Sequence, residues 1–146
     1  MLSKTYPKKA KKEFVEKNTD VYNLIVTRSY IFSYCMLCIS KITINSLLPI
    51  LSGTIINKED LKNTLDSLIM YLAIICEEEN LEFKILEEKP KKHLGQSISI
   101  LCNIAADQVI GIETEHLDTK VKAMKSALYW LKQLADKYSI TLTCEQ

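Results

Sequence analysis

Ser67-Leu68-Ile69-Met70-Tyr71-Leu72-Ala73-Ile74-Ile75-Cys76-Glu77-Glu78-Glu79-Asn80-Leu81-Glu82-Phe83 and Ser126-Ala127-Leu128-Tyr129-Trp130-Leu131-Lys132-Gln133-Leu134-Ala135-Asp136-Lys137-Tyr138-Ser139-Ile140-Thr141-Leu142 align without a gap, 59 positions apart. Tyr71 falls on Trp130, Leu72 on Leu131, Ile75 on Leu134, Cys76 on Ala135 and Glu77 on Asp136. A polar helix-ending residue follows in each, Asn80 and Ser139, and then an apolar-polar-apolar exit. An internal repeat sets architecture before any finer feature does. This one predicts an all-α chain, a four-helix bundle of two repeated helical hairpins packed about a pseudo-twofold axis.

The rest of the chain agrees with long helices. It has 146 residues, the size of one domain, with enough length to bury a core that needs no metal or disulfide. Only three Gly and three Pro punctuate it, too few for a turn-rich sandwich or barrel. The formal net charge of +1 supplies no general field to draw nucleic acid or an anionic membrane. Its basic residues are 18 Lys and the single Arg28, a poor set for bidentate recognition of phosphate or guanine.

Cys35, Cys38, Cys76, Cys102 and Cys144 are odd in number and no secretory signal precedes them, so they read as reduced thiols and a cytoplasmic setting is expected. Charge-free stretches of about 16 residues, between Lys41 and Lys58, and about 12, between Arg28 and Lys41, fall short of the ~20 that a bilayer span needs. Asn45, Pro49 and Gly53 interrupt the first, and no membrane anchor is expected.

Residues 1–18 form a lysine-rich arm, with Lys4, Lys8, Lys9, Lys11, Lys12 and Lys17. It reads as a solvated tail or short surface helix, or else as a basic arm for nucleic acid or an acidic protein. Residues 19–146 form one helical domain, with half-repeats over about 19–86 and 93–146. Thr19 or Asp20 caps a helix expected to run toward Ser52, with Leu24, Ile25, Ile31, Phe32, Cys35, Met36, Ile39 and Ile42 at helical spacing and a kink or short second helix over 45–51. Asn57, with Glu59 and Asp60, opens the clearest helix, striped by Leu61, Leu65, Leu68, Ile69, Leu72, Ile75 and Cys76.

Glu87-Glu88-Lys89-Pro90-Lys91-Lys92 is the charged linker between halves. A helix from about Leu94 carries Ile98, Leu101, Cys102, Ala105, Val109 and Ile112. Another from Asp118 or Thr119 carries Val121, Met124, Leu128, Leu131, Leu134, Ala135 and Tyr138. The exits Leu81-Glu82-Phe83-Lys84-Ile85 and Ile140-Thr141-Leu142-Thr143-Cys144 alternate and are positioned to pair as a small two-stranded β-ribbon.

No assembled catalytic constellation emerges. Cys35-x-x-Cys38 puts two thiols on one helix face, but a structural zinc site needs four ligands and His93 and His116 stand alone, so packing is the expected role. Gly53, Gly95 and Gly111 are too scattered for a phosphate-binding loop. Glu77, Glu78 and Glu79 crowd a helix C-terminus, where the dipole disfavours acids; they read as a solvated end or as a seat for a cation or basic partner, and Asp107 poses the same choice. Of Tyr129 and Trp130, at least one is expected in the core.

The stretch Tyr129 to Leu142, and more loosely Tyr71 to Phe83, resembles the second helix of MazG-like all-α nucleotide pyrophosphohydrolases. The resemblance implies hairpins in a four-helix core, with Mg²⁺ held by E-E-x-x-E on one helix and E-x-x-D on the next. Where E-x-x-D would fall stand Thr64 and Ser67 in one half and Ala123 and Ser126 in the other. Ser33 to Ile42 holds no acid, and Ile98 to Val109 holds Asp107 alone. The resemblance therefore implies a degenerate, duplicated relative without that chemistry. A second resemblance, through Leu94-Gly95-Gln96 and Ala127 to Ala135, is to small helical subunits of type III CRISPR effector complexes, with a different spacing.

The expectation is a non-catalytic helical protein-binding module: an inhibitor, immunity protein or assembly subunit with an unidentified protein partner. No catalytic, cofactor-binding or metal-binding residue is assigned. The alternatives are a MazG-like pyrophosphohydrolase with relocated acids, and a nucleic-acid-associated small subunit using the lysine arm with Lys89, Lys91 and Lys92.

Overall fold

The computed structural model describes residues 2–112 and 117–146. Among the described residues the chain is all-helical, with six helices and no strand. They are α1 (Tyr6–Lys17), α2 (Thr19–Thr27), α3 (Ile31–Ser52), α4 (Lys58–Glu79), α5 (Leu94–Val109) and α6 (Leu117–Lys137), followed by a 3₁₀ turn at Thr143–Glu145.

α4 is the central element. α1, α3, α6 and the 3₁₀ turn all pack on it, while α5 packs on α3 and α6. Every member of its predicted stripe is buried, and Thr64, Ala73 and Ile74 are buried as well. Consecutive burial over Ala73-Ile74-Ile75-Cys76 leaves that part of the helix no solvent face, as expected of a core helix. Its start is the predicted one: Asn57 Oδ1 accepts the Asp60 N–H at 3.1 Å.

The lysine-rich segment is helix α1. Pro7, Ala10 and Phe14 recur at helical spacing and are buried, while Lys8, Lys9, Lys12 and Lys17 face water. Phe14 lies within 6.1–6.5 Å of the rings of Tyr22, Tyr34 and Tyr71, an aromatic cluster joining α1, α2, α3 and α4.

The expected helix from Thr19 to about Ser52 is divided. Ser29 takes a left-handed conformation (φ 56°) and Tyr30 N–H returns to Ile25 O at 2.8 Å, ending α2. Beyond it the chain runs helical past Asn45 and Pro49 to Ser52. A π turn at Thr43–Leu47, closed by Leu48 N–H to Thr43 O, absorbs the donor that Pro49 lacks and the room its ring demands. α3 is therefore longer than the sequence punctuation suggested. With mean hydropathy 1.6, Ile31–Ser52 is long and apolar enough to cross a bilayer by length and composition, yet its inner side holds Phe32, Cys35, Met36, Ile39 and Leu47 in the core.

α4 and α6 end alike. Asn80 (φ 54°) and Ser139 (φ 55°) are left-handed, and Leu81 N–H to Cys76 O and Ile140 N–H to Ala135 O each measure 2.8 Å. Ser29 and Gly111 close their helices in the same way, so this geometry belongs to helix ends in general.

The β-ribbon is not formed. Thr143 N–H and Oγ1–H both donate to Asp66 of α4, at 2.9 and 2.7 Å, and Cys144 O accepts the N–H of Ser3 at 2.9 Å. The C-terminal exit thus spends its polar groups on α4 and on the N-terminal segment. The other exit packs against that same segment through a Phe83–Tyr6 ring stack at 5.8 Å.

Candidate interaction surface

Small residues take part in the α3–α5 contact. Ser33 Oγ–H donates to Ala105 O at 3.3 Å, and Ser40 Oγ and Cys102 Sγ share a hydrogen bond at 2.9 Å. These hydroxyls are satisfied inside the fold, so the shallow groove of about 350 Å³ above them offers mainly apolar contact. Its rim is Leu37 on α3, 53% exposed, with Val109 and Ile110, the latter 68% exposed, at the end of α5. Ile44 (63% exposed) and Leu48 continue from Leu37 at helical spacing along α3. Lys41 is the one charged residue of α3, and it is exposed. Leu37, Val109 and Ile110 thus gather exposed apolar side chains around one groove, and Ile44 and Leu48 add to them farther along α3, beyond Lys41.

This surface escaped the sequence reading. Val109 and Ile112 were expected in the core and are exposed, as is Leu24. The available signal was that α3 is apolar on more than one side: Leu37, Ile44 and Leu48 form a second stripe beside Phe32, Cys35, Met36 and Ile39.

The sequence-derived chemical candidates do not converge. Glu78 pairs with Lys11 of α1 at 2.7 Å and Glu79 with Lys120 of α6 at 2.5 Å, so two of the three acids at the end of α4 are tied to lysines on different helices. The hydrogen bond to Glu78 raises the Lys11 pKa, in opposition to burial. Lys120 is itself buried, with Nζ 4.0 Å from the Phe32 ring centre, while Glu79 Oε2 is buried without a hydrogen-bond partner among the described residues. Glu77 instead lines a cleft beside residues 81–85. Asp107 is half-buried on α5.

Burial holds the core thiols protonated. It raises Cys35, with Cys38 and Glu79 adding to the effect, and pushes Cys76 up to about 12. Cys144 is also pushed up to about 12, by burial and then by Glu145. A thiol held protonated is a poor nucleophile and a poor metal ligand. Cys38 is half-buried beside Tyr34 and Tyr71; the pKa values of both tyrosines are raised, first by burial and then by Cys38. All five cysteines are free. Among the described residues no three His, Cys, Asp or Glu side chains lie close enough to hold a metal ion. His116 lies outside the described residues.

The positions matching E-x-x-D are helix-contact residues. Thr64, Ala123 and Ser126 are buried and Ser67 half-buried. Comparison with family models, with curated proteins and with solved structures finds no match to this chain.

Tyr129 and Trp130 are both half-buried, and Trp130 fastens the linker. Trp130 Nε1–H donates to Lys92 O at 2.7 Å, His93 sits 5.5 Å from its ring and Lys89 Nζ 5.6 Å. Lys91 and Lys92 are exposed beside them. His93 N–H donates to Gln96 Oε1 at 2.9 Å, opening α5 where the sequence placed it.

Proposed function

We propose that this chain is a non-catalytic helical protein-binding module of the cytoplasm, acting as an inhibitor, immunity protein or assembly subunit. The observation that carries the reading is the apolar face of Leu37, Ile44 and Leu48 with Val109 and Ile110. Its hydroxyl-bearing floor is internally satisfied, so burial against an apolar partner surface is the gain it offers. In this reading α3 with α4 and α5 with α6 are the two hairpins of a four-helix bundle. Support comes from buried pairs at the repeat offset: Leu65 and Met124, Leu68 and Ala127, Ile69 and Leu128, Leu72 and Leu131, and Cys76 and Ala135. The MazG-like resemblance then describes a relative whose metal-binding positions have become helix contacts.

A thermal melt with millimolar Mg²⁺ and a non-hydrolysable nucleoside triphosphate tests the non-catalytic part. Hydrolysis of a triphosphate by a metal-assisted route requires convergent carboxylates. Two of the three acids ending α4, Glu78 and Glu79, are instead paired singly with Lys11 and Lys120. We expect no change in Tm and no pyrophosphohydrolase turnover. A site filled at a hundred times its Kd would add about 2.7 kcal/mol, several degrees in a chain of this size. A shift of that order, abolished by Asp107→Asn or by neutralising Glu77 to Glu79, would make the chain an enzyme candidate instead.

A further inference from the structure

Residues 81–85 carry the pattern of a strand without a strand to pair with. Leu81, Phe83 and Ile85 are half-buried while Glu82 and Lys84 are exposed, the alternation of an extended chain. The Phe83–Tyr6 stack fixes the apolar side against the body of the protein. From Glu82 to Leu86, no backbone N–H or C=O makes a hydrogen bond among the described residues. A cleft of about 980 Å³ runs along the segment, with Leu2, Lys4 and Pro7 among its other walls. Unpaired backbone of this kind is a template for another strand. The C-terminal exit does not supply one, because Asp66 and Ser3 hold Thr143 and Cys144.

We propose that this edge pairs with the same edge of a second copy of the chain, antiparallel, with the twofold axis at Phe83. The charge pattern selects that occupant. In this register Glu82 stands opposite the partner's Lys84, and Lys84 opposite the partner's Glu82, on the solvent side. Leu81 faces the partner's Ile85, and Phe83 the partner's Phe83, on the inner side. Opposite charges directly across a ladder stabilise it and like charges destabilise it. Moving the axis to Glu82 or to Lys84 sets like charges face to face, as does a parallel in-register pair, so this register alone satisfies both sides. An interface in which the same residues meet reciprocally is what a twofold dimer requires. Both charges are available to the partner. Lys84 makes no ion pair among the described residues, and Glu82 meets Lys125 at 3.8 Å with its side chain 63% exposed.

Sedimentation equilibrium of the full chain tests this, with far-UV circular dichroism and a thermal melt to establish folding. The wild-type chain is expected to be a dimer at hundred-micromolar concentration. Glu82→Lys alone and Lys84→Glu alone should each weaken it at least tenfold while leaving helix content and Tm in place. An equimolar mixture of the two variants should dimerise again, because the two lysines of one variant then face the two glutamates of the other. A monomeric wild type would overturn the proposal. So would a dimer indifferent to both substitutions, or one that both weaken and that mixing fails to restore.

Discussion

Leu72→Ala and Leu131→Ala are each expected to lower the free energy of unfolding by about 2–5 kcal/mol, read from urea denaturation followed by far-UV circular dichroism. Each leucine is 1% exposed, on α4 and α6 respectively, and both belong to the one hydrophobic core. Truncation to Ala removes the transfer free energy of the buried methyl groups and leaves a cavity between helices too closely packed to collapse fully. Against a typical total stability of about 5–15 kcal/mol, either change removes a large share. Leu72 should fall toward the upper part of the range, because its helix is surrounded by α1, α3 and α6 and has fewest ways to relax. A cost near zero at both positions would mean that these stripes do not face a core.

The second large effect is electrostatic. Lys120→Ala is expected to cost about 3 kcal/mol, since removing one partner of a buried pair strands the other charge. Lys120 is 5% exposed, its ammonium contacts Glu79 at 2.5 Å, and it lies over the Phe32 ring. Glu79 retains some access to water, with its side chain 26% exposed, which places the cost at the lower end for such pairs. Replacing both partners, as Lys120→Met with Glu79→Gln, should recover most of the loss: the methionine still packs on Phe32 and no net charge remains to be stranded. A single Lys120→Ala that leaves stability unchanged would show that the pair is solvated.

Much of the helical plan was legible because its signals are local. Asn57 with two acids behind it marks the start of α4, and the absence of any solvent face near Ile74 only lengthens the predicted stripe. Leu94 as the start of α5 followed from the linker's charges. What was not legible depended on long-range contacts. The left-handed Ser29 that separates α2 from α3 has no Gly to announce it. The π turn that carries α3 past Pro49 has no sequence signature of its own. The exits alternate as strands do, but whether they pair was decided by Asp66, distant in sequence, which takes both donors of Thr143.

The exposed apolar face of α3 was harder still to see. Periodicity identifies apolar stripes without saying which of two stripes on α3 meets a neighbour. Leu24, Val109 and Ile112 looked like core positions and are exposed. Lys120 ran the other way: it is buried on α6, where its pairing with Glu79 and its place over the Phe32 ring accommodate the charge.

Protein binding through the α3–α5 face is the central claim, and comparative capture tests it most directly. The wild-type chain, Leu37→Glu and Ile44→Glu are each used as bait in extract of the source cell, with matched amounts of folded protein. Both side chains are more than half exposed, so the substitutions should change stability by no more than about 0.5 kcal/mol. The account predicts a protein retained by the wild-type chain at defined stoichiometry and lost from both variants. The same proteins retained by all three baits, or none by the wild-type chain, would contradict it.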